Sequence, residues 1–309
     1  MSKLKYSLSA YLRLMQISNT QLFIFAEGID DRYIYIKLAE TECRNNRIIM
    51  KVKVVKELPI KEGKRALLKF FDFLKAKSSL INDFKGKITI SIFFLDKDLD
   101  DFLRIKRHSK HIIYTKTYEL ENYLFLYGNL AEAISASISA DPNLVNEIIG
   151  NEQEWRLRAA TNWKNWVKLC IYSHSRKINS DCRYSFALSK VNGGAYMGVD
   201  RDKYNRYLSE IEALSNLSHE KFLNSYKRLS KKVDKLYSEG QHDLIFKGKW
   251  YIPFLVDDIN KIKERCHINQ TGLVPKIYSC LRLTLNFDDN WAEHFRTPIR
   301  NLLNETGLS

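Results

Sequence analysis

Three carboxylates stand where a buried strand would hand its chain to a loop. Glu27 follows the apolar run 21–26 (QLFIFA), and Asp96 and Asp98, separated by one lysine, follow the run 88–95 (ITISIFFL). Carboxylates of this kind repel one another strongly when brought together, and that repulsion makes such a cluster a site for a cation. Hard oxygen donors suit Mg2+ or Mn2+. A cation so held would neutralise the charge that develops on phosphate oxygens when a phosphodiester is cut. The plain alternative for the same residues is a set that binds nucleic acid without cutting it.

Periodicity shows the elements that must position these acids. Residues 88–95 have the length and the Ile/Thr/Phe content of a strand buried on both faces, and 21–26 and 48–55 (IIMKVKVV) also read as strands. A helix is expected from about Asp31, a candidate cap, to Glu42. Another is expected over 65–76, where Leu67, Leu68, Phe70, Phe71 and Leu74 face inward. Asp100 and Asp101 open an acidic-then-basic segment, 99–107, as a solvated helix start, and a short strand follows at 111–114. Alternation of strand and helix argues for an α/β fold, a parallel sheet flanked by helices, whose ligands collect at the carboxyl ends of the strands.

Residues 1–20 read as a short lead, 21–126 as the sheet domain and 127–309 as a helical C-terminal domain. Within the last, helical spacing runs over 129–172, over 200–238 with a turn at 216–219 capped by Ser218, and over 254–266. The tail is helical with breaks at Gly272 and Pro298. Residues 182–198, which include Gly193, Gly194 and Gly198, read as a loop.

The 309 residues carry 50 Lys and Arg against 36 Asp and Glu, a formal charge of +14. Such an excess biases encounters toward polyanions, nucleic acid above all, and it concentrates in segments 51–65, 104–116 and 221–235, a candidate phosphate track. No apolar run is long enough to span a membrane, and the N-terminus lacks a continuous apolar signal core, so a cytoplasmic protein is expected. The five cysteines (Cys43, Cys170, Cys182, Cys266, Cys280) have no close pair and read as reduced thiols. The seven histidines show no metal-ligand spacing. Gly193-Gly194 lacks a following Gly-Lys-Ser/Thr, and Gly63-Lys64-Arg65 lacks the upstream glycine of a phosphate loop, so no ATP hydrolysis is expected of this chain. Trp155, Trp163 and Trp166 read as core or interface residues rather than base-stacking platforms.

At EGIDD (27–31), LDKDLDDF (95–102) and TYELENYLF (117–125) the sequence resembles the Toprim fold of topoisomerases, primases and OLD-type nucleases. More narrowly, it resembles a bacterial family of Toprim-like proteins encoded beside ABC-type ATPases, which includes the effector of the PARIS anti-phage defence system. The motifs cover about residues 21–126. The resemblance implies that Asp96 and Asp98 bind Mg2+ and that Glu27 binds metal or acts as general acid/base. Asp31 and Glu121 would complete or orient the site, with Lys97 or Lys116 steadying the phosphate. It also implies a toxin-like endonuclease that cuts RNA, specifically tRNA, when a partner ATPase releases it, and a homodimer as the active form. Two of these residues have local alternatives: Asp31 as a helix cap, and Glu121, followed by Asn122, as part of a helix start. With no tyrosine singled out for covalent chemistry, water is the expected nucleophile. The competing function is a non-catalytic nucleic-acid-binding or regulatory subunit that docks on the ATPase.

Overall fold

A computed structural model describes residues 6–61, 63–178, 182, 184, 191, 194–263 and 272–308. Cys266, His267, Gly193, the last residues of the helix expected over 254–266 and most of the 182–198 loop lie outside them. The chain divides into two compact units. A sheet unit takes in the described residues of Met1–Lys97, Lys106–Thr115 and Asn286–Ser309, and a helical unit those of Asp98–Ile105 and Lys116–Leu285. The division does not follow the expected sheet domain of 21–126: the C-terminal segment belongs with the sheet, and the chain passes from one unit to the other between Lys97 and Asp98.

In the sheet unit, α1 (Leu8–Ile17) precedes β1 (Leu22–Ala26), α2 (Arg32–Arg44) and β2 (Met50–Val54). Then come α3 (Lys64–Ala76), β3 (Ile81–Phe84), β4 (Lys87–Leu95), β5 (Ile112–Tyr114) and, after the helical unit, α14 (Asn290–Glu305). The five-stranded sheet is ordered β2-β1-β4-β3, with β5 also paired to β4. The β1–β2, β1–β4 and β4–β5 pairs are parallel, whereas β3, which sequence reasoning missed, runs antiparallel to β4 through a tight turn at Lys85 and Gly86. Its polar, short sequence INDF carries no alternation and sits at the edge, where little burial is required.

Both faces of the sheet are covered, which explains the near-continuous apolar runs. Successive side chains alternate between faces. Phe23, Phe25, Phe93 and Leu95 share a core with Met15 of α1 and Leu67, Phe70, Phe71 and Leu74 of α3. The Phe25 ring meets Phe70 edge-on at 5.1 Å and Phe93 at 4.9 Å. On the opposite face Phe94 packs against Tyr35 of α2 at 4.6 Å and Phe295 of α14 at 5.6 Å. Helix α14 is also tied to α2 electrostatically: the buried Glu42 carboxylate accepts from Arg296 at 2.9 Å and from Arg300 at 2.9 Å. Burial works to raise the Glu42 carboxyl, but the hydrogen bonds from Arg300 and Arg296 prevail and hold it below the usual range.

Pro298 does not break the tail. It lies inside α14, and the helix continues because Phe295, Ile299, Leu302 and Leu303 around it are buried, offsetting the roughly 3 kcal/mol a mid-helix proline costs.

The helical unit begins with the short α4 (Asp100–Leu103) and continues with α5 (Glu121–Tyr127), α6 (Leu130–Ile138), α7 (Pro142–Ile149), α8 (Glu152–Asn162) and α9 (Lys164–Ser175). It is completed by α10 (Arg201–Leu214), α11 (His219–Ser238), α12 (Tyr251–Lys263) and α13 (Leu273–Thr284). Ser218 occupies the N-cap position of α11, although its side chain makes no capping bond. Trp155, Trp163 and Trp166 are fully buried, with Trp155 donating to Asp258 at 2.8 Å and Trp163 to the Ala195 carbonyl at 2.9 Å. They are core residues.

Candidate functional site

Strands β1 and β4 are parallel neighbours with Ala26 opposite Phe94, so they run out within one residue of each other at one edge of the sheet. Glu27 and Asp96 come directly after them. The backbone N–H of Asp96 donates to Glu27 Oε1 at 3.2 Å, which brings the first acid to the start of the second. Both side chains are half-buried. The turn after Asp96 is fixed by Lys97, whose N–H donates to Thr115 Oγ1 at 2.8 Å and whose carbonyl accepts from Lys64 Nζ at 3.3 Å. Lys97 is buried, and Lys64, at the start of α3, brings a cation to this strand end.

Asp31 holds the loop after β1. It occupies the N-cap position of α2, but its side chain makes no capping hydrogen bond. Its Oδ2 accepts instead from the Gly28 N–H at 3.0 Å. A Cβ at position 28 would lie 2.8 Å from that oxygen, so glycine is what permits the contact. The capping bond expected of Asp31 is not made, and its carboxylate anchors the loop that carries Glu27 instead.

Asp98 and Glu121 belong to the helical unit. Asp98 is half-buried and takes up a left-handed conformation, φ 51°, rare outside glycine, with its N–H donating to the Tyr118 carbonyl at 2.6 Å. Glu121 opens α5 beside Glu119, a buried acid that neither its spacing nor its local pattern singles out. Lys249 Nζ lies 2.8 Å from Glu121 Oε1 and 3.9 Å from Glu119 Oε2, and the Lys249 N–H donates to Glu119 Oε1 at 2.9 Å. Burial first, and the neighbouring Glu121 second, push the Glu119 carboxyl up to about 8. Lys116, the other candidate lysine for the phosphate, is exposed, and its N–H donates to Tyr123 Oη at 2.8 Å.

The raised Glu119 carboxyl makes stability depend on pH. Between about 4.5 and about 8 the folded protein keeps a proton that the unfolded chain releases. Its contribution is therefore full below the lower value and is lost as pH rises through the upper one. We expect the melting temperature to fall across this window and the fall to flatten in Glu119→Gln, whose amide oxygen can still accept from Lys249. An unchanged slope in the variant would exclude Glu119 as its source.

The donor set at the sheet edge suits Mg2+. Glu27 and Asp96 offer hard oxygens, and Mg2+ is usually held by one or two carboxylates plus substrate phosphates rather than by an all-protein cage. Among the described residues no three His, Cys, Asp or Glu side chains form a group that could hold a metal ion. The residues present thus fit a two-carboxylate mode completed by substrate.

The fold and these residues describe an α/β protein with a helical unit and acids at the carboxyl edge of its sheet. No protein-family model matches the chain, and no curated protein matches it. Among the described residues no helix is long and apolar enough to cross a membrane.

Proposed function

We propose that this chain is a metal-dependent endonuclease that cuts RNA, with tRNA as its substrate, and acts in the cytoplasm as the toxic effector of an anti-phage system of the PARIS type. The observation that supports the reading best is the Glu27–Asp96 pair, two acids at the ends of adjacent parallel strands in a chain of strong positive charge. Glu27 and Asp96 would be the oxygen donors for Mg2+ or Mn2+, completed by substrate oxygens. When bound, the ion would supply counter-charge to phosphate oxygens. Glu27 accepts a proton from the attacking water. Asp31 holds the Glu27 loop through Gly28, and Lys64 steadies the phosphate. Glu121, paired with Lys249, supports the helical unit rather than touching the reacting atoms. A partner ATPase of the ABC type would keep the effector silent until infection, and the active form would be a homodimer.

The test is cleavage of tRNA by the purified chain with Mg2+ or Mn2+, followed by sequencing of the RNA ends. Asp96→Asn should lose at least about 100-fold in rate, since it removes charge from a metal donor. Binding of tRNA by the unaltered chain without cutting, under all metal conditions and after release from the ATPase, would instead favour the non-catalytic docking subunit.

A further inference from the structure

The helical unit contains a cavity of about 370 Å3 whose walls come from α4, α9 and α11. Four cations line it: Arg104, Arg176, Arg228 and Lys232. No lining residue is acidic, and among the described residues none of the four pairs with a carboxylate. Hydroxyl groups make up much of the remaining polar lining. Tyr172 Oη and Ser225 Oγ lie 2.5 Å apart, and Ser175 stands beside them. The Arg176 guanidinium sits 5.8 Å from the Tyr172 ring centroid, which orients its N–H groups without neutralising them. Arg104 ends α4 in a left-handed conformation, φ 58°, its N–H donating to the Asp101 carbonyl at 3.1 Å. Two basic segments that are far apart in sequence, 104–116 and 221–235, thus contribute to one concave surface.

Four like charges with no acid among them form a recess for an anion rich in oxygen acceptors, and guanidinium groups match phosphate oxygens in particular. The surroundings favour a chain of phosphates over a single small ligand. Beyond the cavity α11 carries the exposed cations Lys221, Lys231 and Lys235, and Lys221, Arg228 and Lys235 recur every seven residues along one side. At 1.5 Å per residue this stripe is about 21 Å long, far more than one phosphate needs. We propose that the cavity is a phosphate-binding site for the backbone of an RNA strand, with the α11 stripe extending the contact along that strand. The inference rests on the reading of this protein as one that acts on RNA, and it names where the strand is gripped.

Equilibrium binding of a fluorescein-labelled single-stranded RNA, measured in EDTA so that no cutting occurs, tests it across a salt series. The double variant Arg228→Gln/Lys232→Gln alters exposed side chains and should fold with an unchanged melting temperature. We expect its Kd to rise at least tenfold and the slope of log K against log salt to shrink by about 1.4, two phosphate contacts at roughly 0.7 each. Lys221→Gln, at the far end of the stripe, should weaken RNA binding more modestly. RNA affinity and salt slope unchanged in the double variant would overturn the proposal. So would loss of ATP binding with RNA binding intact, which would make the cavity a site for free nucleotide phosphates. Because no metal is present, failure of the chain to cut RNA would sink the nuclease reading while leaving this measurement valid. Cutting that proceeds with RNA affinity unaltered in the double variant would sink the cavity assignment alone.

Discussion

Glu27→Gln should lower the cleavage rate about 1,000-fold or more while RNA binding is retained or strengthened. The size reflects the loss of a metal donor and a proton acceptor together, the second alone being worth about 100- to 10,000-fold. The specificity reflects the contact that is kept. Glu27 Oε1 accepts the Asp96 N–H, and the glutamine amide oxygen can accept it equally, so the link between the two strand ends survives the change. Removing one negative charge near the phosphate favours binding. Asp31→Asn provides the contrast: an asparagine oxygen can still accept the Gly28 N–H, so the loop should hold and the rate should stay within about tenfold. With one tRNA substrate and one Mg2+ concentration, an active Glu27→Gln beside a dead Asp31→Asn would show that the wrong acid has been given the chemistry.

Asn122→Leu should be strongly destabilising. Asn122 is fully buried at the start of α5 and satisfies three groups: its oxygen accepts from the Glu119 N–H at 3.1 Å, and its Nδ2 donates to Asp243 Oδ1 at 2.9 Å and to the Phe246 carbonyl at 3.0 Å. Leucine has the same heavy-atom branching, is bulkier, and satisfies none of them. Each buried group left unpaired costs about 1–3 kcal/mol, so a loss of at least about 3 kcal/mol is expected. For a unit of this size that is a fall in Tm on the order of 10 °C. Gly248→Ala should do comparable damage by a different route, because its Cβ would lie 2.4 Å from the Asn122 N and 2.7 Å from the Glu121 carbonyl carbon, both backbone atoms that cannot swing aside. Thermal melts in which both variants stay within about 2 °C of the parent would exclude this joint as a principal support of the helical unit.

The strands that carry the acids are legible in the sequence because their burial on both faces requires runs such as LFIFA and ITISIFFL, and these have few alternative structures. Helix α3 is equally legible from its apolar face. The edge strand β3 is not, since an edge position imposes no pattern on INDF. Pro298 misleads for a related reason: local propensity argues against a helix there, and the packing of α14 on the sheet outweighs it.

Of the candidate site, residue type and strand-end position are enough to single out Glu27 and Asp96, because the geometry of parallel strands delivers the residues after them to one edge. Which hydrogen bonds those residues make is a matter of tertiary structure. Asp31 turns away from its helix to the Gly28 N–H, Glu121 meets Lys249, and Lys64 reaches the Lys97 carbonyl across 33 residues. Lys249, which meets Glu119, and the cations that line the cavity come from segments distant in sequence, and spacing along a chain carries no information about such juxtapositions. The sheet, its acidic edge and the basic segments could be read before any fold was known, since each is encoded in a contiguous run. That Arg104 and Arg228 line one recess, and that a buried glutamate keeps its proton near neutral pH, emerges only on folding, since both depend on which helices pack together and what they exclude from water.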